Sequence, residues 1–206
     1  MAERYQRQSA LAHLHLEARA ASAPASAGVV LSERAYRGQI ALRGKAANRK
    51  FKAAAKAVLG VPLPTKRNTA SEVKKGCCLL WLGPDEWRAA VPGGREGQVI
   101  ADLYAALPEV HFAAVDASSS RTVIRLSGDR AREVLMKGCS LDLHPAVFAA
   151  GQCAQSSLAR CHVLLHQTAD TPDYDVYVHR SFADYLWRWL EDAAAEYGVR
   201  VAGENT

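Results

Sequence analysis

The chain has no apolar run approaching the roughly 20 residues that span a bilayer, so no membrane-spanning helix is expected in it. Its N-terminus, Met1-Ala2-Glu3-Arg4-Tyr5-Gln6-Arg7-Gln8, lacks the apolar stretch of a secretory signal. Glu3 and Glu17 also argue against a transit peptide, and the expected address is the cytoplasm. Cysteine is sparse and odd in number: Cys77, Cys78, Cys139, Cys153 and Cys161. An odd count argues against a closed disulfide framework, and neighbouring Cys77 and Cys78 are awkward partners for one another. Reduced thiols are expected.

Catalytic signatures are equally scarce. Cys139, His144, Cys153, Cys161, His162 and His166 share one stretch, but none forms the close Cys-x-x-Cys pair typical of zinc. Cys139 falls at the expected C-terminal end of a helix, where the negative partial charge disfavours a thiolate. There is no Gly-x-Ser-x-Gly elbow, and Ser118-Ser119-Ser120 reads as a turn whose hydroxyls bond the local backbone. Pro92-Gly93-Gly94-Arg95-Glu96-Gly97 matches neither phosphate-loop pattern, and Glu96 would repel an anion at the helix start. No catalytic, cofactor-binding or metal-binding residue is therefore assigned.

What the chain does have is enough material for a core. Its 206 residues are 49% hydrophobic and 23% charged, an ordinary globular balance. The net charge of +5 is unevenly spread. Between Arg43 and Lys75 stand ten Lys and Arg residues against one acid, Glu72; the remainder holds 16 bases and 20 acids. Such asymmetry points to a basic face with an anionic partner, although a solvated surface accounts for it too. The stretch is poor in aromatics and lacks an RNP1-like pattern, which disfavours nucleic acid.

Periodicity lays out the elements. Residues 1–17 are weakly helical around Leu11 and Leu14, and the small residues 18–28 read as a linker. The expected division is an arm and linker over 1–28, one α+β domain over 29–202, and a tail at 203–206, with the arm mobile or docked on a partner. Strands are expected at 38–43, 78–82, 87–91, 110–116, 121–127, 152–159, 161–168 and 174–179. Gly83-Pro84-Asp85-Glu86 is a turn, with Pro at its second position. A helix over 46–59 gathers Phe51, Ala54, Ala55, Val58 and Leu59 on one face and Arg49, Lys52 and Lys56 on the other. Gly60 stops it, and Pro62 and Pro64 prevent its return. Further helices are expected at 95–106, after Gly128, and from a cap at Ser181 to Tyr197. In the last of these, Phe182, Leu186, Trp189, Leu190, Ala193 and Tyr197 form the expected core stripe. Trp187 falls off that stripe, beside the small Ala183 and Ala194, so it either covers a loop or marks a partner surface. The irregular interleaving predicts an α+β fold of antiparallel or mixed sheets, with helices on one face and two ferredoxin-like halves.

Several segments together resemble the gamma subunit of heterotetrameric sarcosine oxidase. They are Trp81-Leu82-Gly83-Pro84-Asp85-Glu86-Trp87, Val115-Asp116 with Ser119-Ser120-Arg121-Thr122, and Leu126-Ser127-Gly128. Lys137-Gly138-Cys139-Ser140-Leu141-Asp142-Leu143-His144-Pro145 and Arg180-Ser181-Phe182-Ala183-Asp184-Tyr185-Leu186-Trp187 complete the set. That family resembles one half of the folate-binding aminomethyltransferase fold, whose Asp-x-Ser…Arg…Gly segment is matched by Asp116, Arg121 and Gly128. The resemblance implies a small accessory subunit, with no cofactor of its own, in a flavoenzyme that oxidises sarcosine to glycine. Hydrogen peroxide and formaldehyde, or methylene-tetrahydrofolate, are the other products. FAD, FMN, NAD and tetrahydrofolate are then expected on partner subunits, and the partners are the large alpha and beta subunits and the small delta subunit. Arg49, Lys52, Lys56 and Trp187 are the candidate partner interface. Asp116, Arg121 and Gly128 are candidate turn-forming residues, with an ion pair or backbone hydrogen bonds orienting the turn. A stand-alone folate-binding aminomethyltransferase-like protein is the alternative reading.

Overall fold

The computed structural model describes residues 7–24, 26–71, 74 and 76–203. Residues 1–6, Glu72, Lys75 and the last three residues of the expected tail lie outside the described residues. In chain order the elements are α1 (Leu16–Ala21), β1 (Val29–Glu33), β2 (Gly38–Gly44), α2 (Arg49–Leu59), β3 (Cys78–Gly83) and β4 (Glu86–Val91). They continue with α3 (Glu96–Ala106), β5 (Phe112–Asp116), β6 (Arg121–Ser127), α4 (Ala131–Met136) and β7 (Cys153–Leu158). The chain ends with β8 (Cys161–Ala169), β9 (Asp173–His179), α5 (Ala183–Ala194) and β10 (Val199–Val201).

The first half runs β2-α2-β3-β4-α3-β5 and forms an antiparallel sheet in the order β3-β4-β2-β5. This is the ferredoxin-like arrangement. Asn48 starts α2, its side chain accepting the Lys50 and Phe51 backbone N–H groups at 2.9 and 3.2 Å. Such a cap stabilises a helix by about 1 kcal/mol, and it explains why α2 begins at residue 49 and not 46. Gly60 ends the helix in the left-handed conformation at φ 74°. Phe51, Ala55 and Leu59 then face Ile40, Leu42, Trp87 and Ala89, and α3 adds Val99 and Leu103 to the same core.

The second half repeats the pattern with additions. Its sheet order is β10-β1-β6-β9-β8-β7, so β1 is inserted beside β6 and β7 extends the far edge. Residues Ile124, Leu126, Val163, Leu165, Val176 and Val178 alternate onto the face that meets α4 and α5. The other face meets the four-stranded sheet across a small apolar cluster of Cys78 and Leu80 against Val123, Cys153, Leu164 and Tyr177. The molecule is therefore layered helix, sheet, sheet, helix.

Three expectations change. The N-terminal arm lies on the chain's own body: Leu11 is fully buried in the second core, and α1 runs from the segment read as weakly helical into the first residues of the one read as linker. His13 meets Asp184 at 2.7 Å, and Arg19 pairs with Glu191. The apolar Leu11 is buried only once the second core has assembled, which local sequence does not reveal. Second, β1 and β10 pair in parallel, Val29 opposite Val199, although neither segment reads as a strand alone. Third, Trp187 is not on the surface. It is fully buried, along with Ala183, Leu186, Leu190 and Ala194. The expected stripe counted Phe182 and Tyr197, but these sit in short 3-10 turns flanking α5. The 3.6-residue period holds only inside the α-helix, and removing those two anchors rotates the buried face onto 183, 187, 190 and 194. Ser181 makes no capping bond, and Asp184 instead accepts from Arg188 at 3.0 Å.

Candidate functional site

Strand alternation places charge on the inner face of the six-stranded sheet. On β6, Arg121, Val123 and Arg125 share that face; on β9 it carries Asp173, Asp175, Tyr177 and His179. The register sets Arg125 opposite Asp175, Val123 opposite Tyr177 and Arg121 opposite His179. Only the middle of the seam is apolar, and ionised groups flank it.

On one flank Arg34 Nε lies 3.2 Å from Asp175 Oδ1, an ion pair without hydrogen-bond alignment. Arg125 grips Asp173 with both arms of its fork, Nε reaching Oδ1 at 2.9 Å and Nη2 reaching Oδ2. Asp175 is buried, which pushes its carboxyl pKa up, while Arg34, Arg37 and Arg125 pull it back. His166 is buried beside them, and its pKa is lowered to about 4, first by desolvation and then by Arg34 and Arg37. On the other flank Arg88 is buried next to Arg121. Burial lowers both guanidinium pKa values, and Arg121 lowers that of Arg88 further. Arg88 Nε and Nη1 have no hydrogen-bond acceptor among the described residues, and neither does Arg121 Nε.

Where the β1–β2 connection, the β5–β6 turn and the N-terminal arm meet, a cavity of about 280 Å³ opens. Arg7, Arg34, Arg37, Arg121 and Arg180 line it, with Gln39 at its floor-strand β2. Asp116 shapes one wall. Its carboxylate accepts the Ser118 N–H at 2.9 Å and the Ser118 hydroxyl at 2.6 Å, a local turn built by a side chain on its own backbone. Ser118 Oγ in turn accepts the Gln39 N–H at 2.9 Å, and Gln39 Nε2 donates to the Arg121 carbonyl at 2.8 Å.

The residues singled out from sequence thus occupy different places. Asp116 and Arg121 belong to this one wall but form no ion pair with each other; Arg121 Nη2 lies 3.4 Å from His179 Nε2. Gly128 sits away from it, at φ 108°, where an added Cβ would stand 2.5 Å from the Gly28 carbonyl oxygen. It therefore allows the chain before β1 to cross the approach to α4. Arg49, Lys52 and Lys56 lie exposed on α2, with no ion-pair partner among the described residues. Trp187 is in the core. The candidate metal residues do not converge: among the described residues no group of three or more His, Cys, Asp or Glu could hold an ion. The sequence reading missed Arg34, Arg37, Arg88, His166, Asp173 and Asp175 as a group. The signal was present in Asp173-Tyr174-Asp175-Val176-Tyr177-Val178-His179, whose polar members alternate with apolar ones.

Comparison with known proteins follows the same outline. Residues 43–196 match the family described as "Sarcosine oxidase, gamma subunit family". The sarcosine oxidase subunit gamma of Corynebacterium sp. (strain P-1) is 36% identical over 183 residues, covering 89% of this chain and 88% of that protein. A chain of the heterotetrameric sarcosine oxidase from Corynebacterium sp. U-96, solved in complex with pyrrole 2-carboxylate, superposes with a TM-score of 0.82. That match has 33% identity and covers 93% of this chain and 96% of the other. The glycine cleavage system aminomethyltransferase T from Bartonella henselae shares the fold, with a TM-score of 0.65 at 15% identity, over 91% of this chain and 57% of that one. With family, length and fold in agreement, the chain belongs to the sarcosine oxidase gamma subunit family.

Proposed function

We propose that this chain is an accessory subunit of a heterotetrameric sarcosine oxidase and that it serves assembly and not chemistry. The complex would oxidise sarcosine to glycine, yielding hydrogen peroxide and either formaldehyde or methylene-tetrahydrofolate. FAD, FMN, NAD and tetrahydrofolate would reside on its partners, the large alpha and beta subunits, with a small delta subunit completing it. The observation that carries this reading is the end-to-end correspondence with a chain of a solved heterotetrameric sarcosine oxidase. The exposed Arg49, Lys52 and Lys56 of α2 support a docking role, because their charge is left uncompensated within the described chain. An acidic surface on a larger subunit would complement it. No helix among the described residues is long and apolar enough to cross a membrane.

The test is to tag this chain in its native cells, purify it, identify what accompanies it and scan the eluate for flavin. Stoichiometric recovery of large flavin-bearing chains, with sarcosine-dependent peroxide formation, is the expected result. A colourless single chain that binds tetrahydrofolate would overturn it in favour of a stand-alone folate-binding protein.

A further inference from the structure

We propose that the arginine-lined cavity between the N-terminal arm, the β1–β2 connection and the β5–β6 turn binds a single oxyanionic group, a phosphate or a carboxylate. Five arginines line it, and among the described residues no Asp or Glu does. Asp175 compensates one of the five, Arg34, while Asp116 holds Ser118 and Glu33 Oε1 accepts the Thr122 hydroxyl at 2.7 Å, which leaves the other four without a carboxylate among those three. Like charges gathered at one cavity repel, and an anion among them reverses the sign of that interaction.

Two further observations separate this cavity from a solvated basic patch. The Nε atoms of Arg37 and Arg121 are buried and have no acceptor among the described residues. A buried donor left unpaired is destabilising by about 1–3 kcal/mol, so a ligand oxygen there supplies what the chain does not. Two of the forks are also held in place: Arg37 Nη2 donates to the Gly76 carbonyl at 2.9 Å and Arg180 Nη2 to the Gln8 carbonyl at 2.7 Å. Guanidinium groups fixed in this way lose little freedom on meeting an oxyanion, and their planar donor pairs suit carboxylate and phosphate alike. Gln39 is buried with its Oε1 unpartnered, an acceptor suited to the O–H of a monoprotonated phosphate. A volume of about 280 Å³ admits such a head group.

The anion has two sources: a free small molecule, or an acidic side chain or C-terminus presented by a partner subunit. The inference rests on the cavity and is independent of the proposed assembly. The full chain, alone and in its purified complex, is titrated calorimetrically with inorganic phosphate and with acetate, sodium chloride holding ionic strength constant. Saturable binding by the chain alone is expected. Arg37→Gln and Arg121→Gln should each weaken it about tenfold or more, with Arg160→Gln, at an exposed position away from the cavity, unchanged. If either variant fails to fold, Arg180→Gln, at an exposed position, is expected to lose binding severalfold with an unaltered circular dichroism spectrum. Binding that persists in the complex identifies a free anion; binding lost on assembly identifies a partner carboxylate. Heats no larger than those of matched sodium chloride, or binding retained by the arginine variants that fold, would overturn the proposal.

Discussion

The two faces of the six-stranded sheet are built from the same strands and differ in everything else. The face toward α4 and α5 is a continuous apolar layer, closed by the fully buried Trp187, Leu186 and Leu190. The face toward the other sheet has a narrow apolar centre and buries Arg88, His166, Asp173 and Asp175 around it. Apolar burial contributes about 25 cal/mol per Å² without directional demands. Burying charge requires desolvation that an ion pair offsets only in part. The first face therefore accounts for stability. The second is a place where stability is given up.

The comparison breaks first at Trp187. Trp187→Ala should destabilise the chain by about 3–5 kcal/mol through the cavity it leaves, read as a fall in the denaturant midpoint. Trp187→Phe should be milder, because the indole N–H has no acceptor among the described residues to lose. If the alanine variant kept the parent midpoint, Trp187 would be a surface residue after all.

The seam should report itself through pH. His166 has a folded pKa near 4, below its ordinary 6.5. The folded state thus binds its proton less readily than the unfolded chain, so stability is full above about pH 6.5 and is lost as pH falls toward 4. The total loss should reach about 3 kcal/mol at most. His166→Gln should flatten the stability profile between those values, measured by urea unfolding at a series of pH.

A smaller effect is expected at the Arg34–Asp175 pair. Asp175→Ala leaves Arg34 without its partner and should destabilise by about 1–3 kcal/mol, reduced from a fully buried case because Arg34 is partly exposed. Replacing both, Arg34→Met with Asp175→Leu, should recover most of the loss. A double variant worse than the single would mean that the pair contributes net stability.

The smallest effect on folding belongs outside both faces. Lys52→Glu with Lys56→Glu should alter stability by no more than about 0.5 kcal/mol, yet weaken co-purification with the large subunits. Undiminished recovery would remove α2 from the interface.

Local pattern was informative wherever an element is stabilised by its own neighbours. The α2 helix, the β3–β4 hairpin and β6 all lie where spacing and turn residues put them, because caps, hairpin turns and amphipathic faces act over a few residues. The docking of the arm is not legible because Leu11 is buried in a core whose other members come from far along the chain. The candidate site was less legible than the fold. Asp116 and Arg121 stood out, but Arg34, Arg37 and Arg180 are scattered among other basic residues and meet only after both sheets are in place.

The sequence by itself determined an α+β chain with a basic helix and with the segments that mark its family. Those features depend on composition, periodicity and short motifs. Tertiary structure alone decided that Trp187 is core, that the arm closes onto its own body, and that five arginines share one cavity. Which side of a strand or helix is buried depends on what long-range pairing brings against it. The charge of one side chain acquires meaning only from the charges that folding places beside it.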